Sequence, residues 1–202
     1  MRFGLVIIGA HNGSGLEQLI LEQKDKVLLI EPVYYNYNQL VTKFSGLKNI
    51  ILEKIGISDK TDSMKFYYVK EDSIKKLGKE WASGIGSFKR KHLLNHFGKR
   101  FLIKENDIHE EEIQIFTFGD LISKYSINEV DYLLIDTEGF DYNIIKSINF
   151  KKIRIKKIKF EYKHLDDTFK FEAKLQELKN YFKNLNYIQT DIDKENITFE
   201  VN

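Results

Sequence analysis

Leu5-Val-Ile-Ile-Gly-Ala-His-Asn-Gly-Ser-Gly15, followed by Val27-Leu-Leu-Ile-Glu-Pro32, is the part of the chain whose reading decides the fold. It predicts an apolar strand, a glycine-rich turn, an amphipathic helix and a second apolar strand that ends in a carboxylate. That order is the mononucleotide-binding half of a doubly wound α/β sheet. Glycines at 9, 13 and 15 allow a tight turn and a close approach of backbone to ligand. Glu31 falls 22 residues beyond Gly9, at the carboxyl end of the second strand, where an acid can accept both hydroxyls of a ribose. A ligand with an adenosine end is the expectation; the plainer alternative is a strand–helix turn without a ligand.

Outward from this stretch the pattern continues. Phe3–Ile8 is a β-branched apolar run suited to a buried parallel strand. Ser14–Lys24 places Leu16, Leu19 and Ile20 on one helical face, and Tyr37, Leu40, Val41 and Phe44 mark a second helix stopped by Gly46. Asn49–Ile57 reads as a third strand, so strand and helix alternate as in a parallel sheet with right-handed crossovers. From about 63 to 112 the rhythm breaks: Met64–Val69 suggests a strand, Trp81–Phe88 is small and flexible, and Lys89–Arg100 is basic. Regularity returns with strand Glu112–Phe118, helix Gly119–Tyr125 and the buried strand Val130–Asp136. Asp141 is then placed to cap a helix facing inward through Ile144, Ile145 and Ile148. Strand Ile155–Tyr162, a long helix carrying Phe171 to Leu185, and the two strands Tyr187–Ile192 and Asn196–Val201 complete the order. One domain over 1–202 is expected, with an irregular substrate-side insertion at about 63–112.

The chain has 202 residues, 42% hydrophobic and 31% charged, with a net charge of +2 and no cysteine. These values describe a globular protein with one full core and no global field directed at nucleic acid. Disulfides and cysteine-ligated zinc are excluded, and a reducing compartment fits. No apolar run approaches a membrane span, and the first strand begins too early for a signal peptide, so a cytoplasmic protein without nucleic-acid or membrane partners is expected.

Ile8-Gly-Ala-His-Asn-Gly13, Ile30-Glu-Pro32, Asp131-Tyr-Leu-Leu-Ile-Asp-Thr-Glu-Gly-Phe-Asp141 and Phe160-Glu-Tyr162 together resemble the FkbM family of S-adenosylmethionine-dependent methyltransferases. The likeness covers about 3–59 and 117–165. It implies a Rossmann-like class I methyltransferase, a seven-stranded, mostly parallel sheet ending in an antiparallel hairpin. It further implies O-methylation of a hydroxyl on a sugar or natural-product-like small molecule. By the resemblance, Gly9, Ala10, His11, Asn12, Gly13 and Ser14 wrap the methionine part of S-adenosylmethionine, Glu31 and Pro32 meet the ribose, and Gly56, Ile57, Ser58 and Asp59 lie near the adenine. Asp136 and Glu138 sit beside the transferring methyl. One position departs from the family: an acid two residues before the first glycine is replaced by Ile7. That acid helps hold the cofactor's ammonium group, and Asp136 is the candidate to supply the charge instead.

Removing a proton from a hydroxyl nucleophile calls for a positioned carboxylate or histidine. Asp136 and Glu138 follow a strand end where ligands bind in open α/β sheets, and His164 offers a base near neutral pH. No metal is expected: Asp136 and Glu161 could share a hard cation, but two carboxylates do not define a site. His92 and His96 read as part of a basic helix rather than a zinc site. The basic cluster Lys151–Lys159 reads as a solvated face, and the aromatic-rich 67–101 as the substrate-recognising segment. Two rival functions fit less well. One is a degenerate, non-catalytic binding module, motivated by Ile7. The other is a short-chain dehydrogenase, motivated by Tyr142-Asn-Ile-Ile-Lys146 but lacking its upstream serine, since Glu129 stands there.

Overall fold

Strand β1 (Arg2–Ile8) is buried from Phe3 onward, because a central parallel strand is covered on both faces. In the computed structural model, which describes residues 1–95, 103–165 and 173–201, the chain leaves β1 through the glycine turn. It continues through α1 (Glu17–Leu21), β2 (Lys26–Ile30), α2 (Tyr34–Phe44) and β3 (Ile50–Glu53). The next elements are β4 (Gly56–Ser58), β5 (Asp62–Val69), α3 (Glu71–Leu77), α4 (Arg90–Asn95), β6 (Ile108–Thr117) and α5 (Phe118–Tyr125). They are followed by β7 (Glu129–Ile135), α6 (Asp141–Ser147), β8 (Arg154–Glu161), α7 (Ala173–Asn184), β9 (Tyr187–Ile192) and β10 (Asn196–Val201).

Seven strands form the main sheet in the order β3-β2-β1-β7-β8-β10-β9. Its first five strands are parallel, and β10 runs antiparallel to both β8 and β9. The expected doubly wound sheet with a terminal hairpin is therefore present. One face of β1 and β2 (Leu5, Ile7, Val27, Leu29) packs on Ile20, Leu40 and Phe44 from α1 and α2. The opposite face joins Val6, Ile8, Val130, Leu133, Ile155, Ile158 and Phe160 to Leu121, Ile144, Ile145, Leu178 and Phe182. Phe182 stacks on Phe199 with ring centroids 4.6 Å apart, tying the hairpin to α7. A capping box starts α5: Asp120 N donates to Thr117 Oγ1 at 3.1 Å, and Thr117 N donates back to Asp120 Oδ2 at 2.8 Å.

Three sequence expectations are corrected. The apolar run Asn49–Ile57 is two strands in two sheets: β3 ends at Glu53, and β4 pairs with β6 in a separate three-stranded sheet of order β4-β6-β5. Apolar periodicity cannot show a change of pairing partner within one run. The helix expected over Ser14–Lys24 is only Glu17–Leu21, because Gly13 and Gly15 hold left-handed backbone (φ +76° and +78°) through the approach. The stretch expected to be irregular contains nearly all of β5, α3, α4 and the first half of β6. Within it Trp81–Phe88 is pinned by a reciprocal backbone pair, Tyr67 N to Ser87 O and Ser87 N to Tyr67 O, both at 2.9 Å. His96 and Phe171 lie outside the described residues.

Candidate active site

The chain leaves β1 toward β2 on one side, and β7 occupies the other. At such a switch point the loops beyond the strands diverge and leave a crevice. Gly9 sits at its base with φ +82°, and a Cβ there would lie 1.7 Å from the backbone oxygen of Asp136. Only glycine fits. Gly9 N and Ala10 N both donate to Ile30 O, at 3.0 and 2.9 Å, and Asp136 N donates to Ile8 O at 2.9 Å. The ends of β1, β2 and β7 are thus joined directly beneath the crevice.

The crevice is a cleft of about 770 Å³, part of it open to solvent. Glu31 lies at the end supplied by β2. Its Oε2 accepts from His11 N at 2.9 Å and its Oε1 from Val33 N at 2.8 Å. One carboxylate therefore fastens the glycine turn and the start of α2, and the Asn36 side chain is a third donor to it. Burial pushes the Glu31 carboxyl up to about 7, against the pull of the Val33 and His11 amides. His11, with φ 49°, shares a 2.6 Å hydrogen bond between its Nε2 and Ser83 Oγ. Burial, then Lys43, lower its pKa.

A pH effect follows from Glu31. Its folded pKa of about 7 lies above the ordinary 4.5, so between these values the folded state holds more proton than the unfolded state. Stability then falls as pH rises through this window. The wild type should lose on the order of 3 kcal/mol relative to Glu31→Gln between pH 4 and pH 8. Parallel urea titrations of the two proteins check this; parallel stability curves would contradict it.

The other end of the cleft is acidic and comes from the turn after β7. Asp136, Thr137 and Glu138 line it. Asp136 is exposed to solvent. Partial desolvation, with the charges of Glu161, Asp141 and Glu138, raises its pKa above the usual carboxylate range. Behind it, Glu138 Oε2 lies 2.9 Å from His92 Nε2 and 3.1 Å from His164 Nδ1, and His164 Nδ1 lies 2.7 Å from Glu161 Oε2. Burial opposes charge on His164, but the hydrogen bonds to Glu138 and Glu161 outweigh it and raise its pKa to about 10. These hydrogen bonds favour the protonated imidazole. Asp141 differs from expectation. Its carboxylate accepts from Thr137 Oγ1 at 2.6 Å and from Glu161 N at 3.3 Å, so it clamps the β7 turn to the end of β8 and does not cap α6.

Of the residues expected from sequence, Gly9, His11, Glu31, Pro32, Gly56, Ile57, Asp136 and Glu138 line the cleft. The others stand back from it. Ala10 is buried in the core. Asn12 faces α2, its Nδ2 donating to Gln39 at 3.0 Å, and Gly13 abuts Phe44 and Leu40. Ser14 is exposed. Ser58 donates to Asp59, and Asp59 accepts from Asn143 of α6 at 3.1 Å. Ile7, where the family carries an acid, points into the α1–α2 core and offers the cleft nothing. Sequence reasoning missed Val33, Ile55, Phe66 and Thr137 as lining residues, whereas Gly84, Gly86 and Phe88 fall within the segment 67–101 expected to recognise substrate. Tyr142, the candidate dehydrogenase tyrosine, lies on α6 and donates to Glu177 of α7 at 2.7 Å, outside the cleft lining.

A family model described as the methyltransferase FkbM domain matches residues 8–188. No curated protein matches the chain. Among solved structures, the methyltransferase FkbM from Methylobacillus flagellatus KT aligns with 99% of this chain and 44% of its own, at 15% identity and a TM-score of 0.55. This chain therefore spans less than half of that protein. The human methyltransferase 10 domain-containing protein aligns with 98% of this chain and 71% of its own, at 10% identity and a TM-score of 0.49.

Proposed function

We propose, for a chain that belongs to the FkbM methyltransferase domain family, that it is an S-adenosylmethionine-dependent enzyme methylating a hydroxyl of a sugar or other small molecule. The observation that carries this reading is the pairing of Glu31 and Asp136 at opposite ends of one cleft over the β1–β7 switch point. The residues present fit the cofactor. Gly9, Gly84 and Gly86 bring backbone to the wall of the cleft, and Glu31 stands at the end of β2, the strand-end position of a ribose-binding acid. Val33, Ile57 and Phe66 supply apolar walls.

When bound, S-adenosylmethionine supplies a methyl group on a sulfonium, activated toward in-line displacement. The work left to the protein is alignment of the acceptor oxygen, exclusion of water and removal of one proton. Asp136 takes that proton. Its raised pKa brings its basicity closer to neutral pH than an ordinary carboxylate's, which suits a general base. Phe88, packed against Phe66 and Phe140 with centroids 5.1 and 4.8 Å apart, forms an apolar wall that keeps water from the reacting atoms.

Calorimetric titration with S-adenosylhomocysteine, with NAD run alongside, tests the cofactor assignment. Micromolar binding of the first alone is expected. Glu31→Ala should weaken it at least tenfold, since loss of a charged hydrogen bond costs roughly 1.5–3 kcal/mol. An unchanged dissociation constant in the variant removes the ribose assignment. No binding of either ligand at millimolar concentration supports the non-catalytic binding module instead.

A further inference from the structure

Beyond the cleft residues, the structure brings together three side chains that no sequence pattern connects. His92 comes from α4, Glu138 from the turn after β7, and His164 from the turn after β8. Among the described residues these three form a group whose candidate ligand atoms all lie within 4.8 Å of one another. We propose that His92, Glu138 and His164 form a binding site for a divalent transition-metal cation at the acceptor end of the cleft, with Glu161 as an adjoining fourth ligand. This rests on the methyltransferase reading for its role, and it departs from the expectation of no metal.

Four features carry the assignment. The first is ligand chemistry. Two imidazoles with one or two carboxylates suit zinc, iron or cobalt, whereas calcium and magnesium take all-oxygen shells. The second is geometry. Glu138 Oε2 stands 2.9 Å from His92 Nε2 and 3.1 Å from His164 Nδ1. Ligand atoms around a tetrahedral zinc ion are about 3.4 Å apart when the metal–ligand bonds are near 2.1 Å. An outward shift of a few tenths of an ångström opens the site, and the cation takes the place of the protons these atoms now share. The third is burial. The side chains of His92 and His164 are 4% exposed, Glu161 9% and Glu138 16%. Their shell is therefore set by the fold and not by mobile surface groups. The fourth is backbone. Glu138 adopts φ 51°, left-handed geometry that a side chain rarely takes, and the residue after it is glycine with φ 105°. Such strain persists where the surrounding structure demands a particular side-chain direction, and here the direction is toward both histidines.

The location gives the cation work to do. Glu138 belongs both to this cluster and to the cleft lining, beside Asp136. A fifth coordination position on that side, taken up as the ion expands from tetrahedral, faces the place where an acceptor hydroxyl must lie. Binding of its oxygen to the cation lowers the hydroxyl pKa and leaves Asp136 as the proton acceptor. The acceptor class favoured is one with two neighbouring oxygens, such as a sugar diol, which can chelate.

The test uses tag-free, metal-stripped full chain. Calorimetry with Zn²⁺ and visible absorption with Co²⁺ should show one cation per chain with micromolar or tighter affinity, weakened at least 100-fold in His92→Ala. X-ray absorption of the zinc-loaded wild type should count two imidazole ligands, a result that needs no variant to fold. Absence of stoichiometric binding, fewer than two imidazoles, or undiminished affinity in a folded His92→Ala overturns the proposal. S-adenosylhomocysteine binding is measured on the same samples. Cofactor binding without metal binding defeats the metal site and leaves the methyltransferase reading standing. Metal binding without cofactor binding does the reverse.

Discussion

Asp136→Asn should reduce methyl transfer by roughly 100-fold or more, the usual size of a general-base contribution, while S-adenosylhomocysteine binds within about threefold of wild type. Asparagine keeps the size of the side chain and the backbone bond from residue 136 to Ile8 O, which measures 2.9 Å in the wild type. It removes only the ability to accept a proton. Any hydroxyl acceptor returned by a radiolabelled-methyl screen of sugars serves for the assay. In wild type with no divalent cation added, the acid limb of the rate–pH profile should lie above the ordinary carboxylate range. Partial desolvation and the charges of Glu161, Asp141 and Glu138 all raise the Asp136 pKa, and turnover requires the ionised form. Two outcomes would reassign the residue. Full turnover in the variant ends its catalytic role. A large loss of cofactor affinity at unchanged turnover makes Asp136 the partner of the cofactor's ammonium group, the position Ile7 cannot fill.

Gly9→Ala should be the most damaging single substitution for stability. The added Cβ meets the Asp136 carbonyl oxygen at 1.7 Å, and the residue must also hold φ +82°. The oxygen belongs to main chain and the Cβ is fixed rigidly to it, so neither can rotate away. A cost of roughly 3–5 kcal/mol is expected, at the upper end for a point change. Gly15→Ala is the internal control. It shares left-handed backbone, φ +78°, but has nothing within 4 Å of its added Cβ, so it should lose only about 1–2 kcal/mol. Urea denaturation of both variants separates steric exclusion from backbone strain. Equal losses would mean that the β1 and β7 ends do not approach as closely as described.

The parts of this architecture visible in the sequence are those written as continuous local pattern. Phe3–Ile8, Val27–Glu31 and Val130–Asp136 each carry their own apolar run, and each matches a strand with Gly9, Glu31 or Asp136 directly beyond its carboxyl end. Gly9, Glu31 and Asp136 were legible for that reason. The run Asn49–Ile57 misled because one apolar stretch serves two sheets. Trp81–Phe88 looked loose by composition, yet Ser87 anchors it to Tyr67 and so brings Gly84, Gly86 and Phe88 to the cleft. Hidden most thoroughly was the joining of His92, Glu138 and His164, which arises only when α4 folds over the ends of β7 and β8.

The sheet order also governs how the site comes into being. Strand β1 finds β2 within a short stretch of chain, Ile7 pairing with Leu29, but its other neighbour pairs Phe3 with Val130. During synthesis the N-terminal half therefore waits with one edge of its central strand open, until most of the polypeptide has emerged. Closing so distant a pair is slow, since a long loop must be ordered before its contacts repay the entropy. The Ile8–Asp136 bond that completes the cleft's base belongs to this same closure. The cleft thus closes late, and a truncated or stalled chain displays a bare β-edge, open to aggregation.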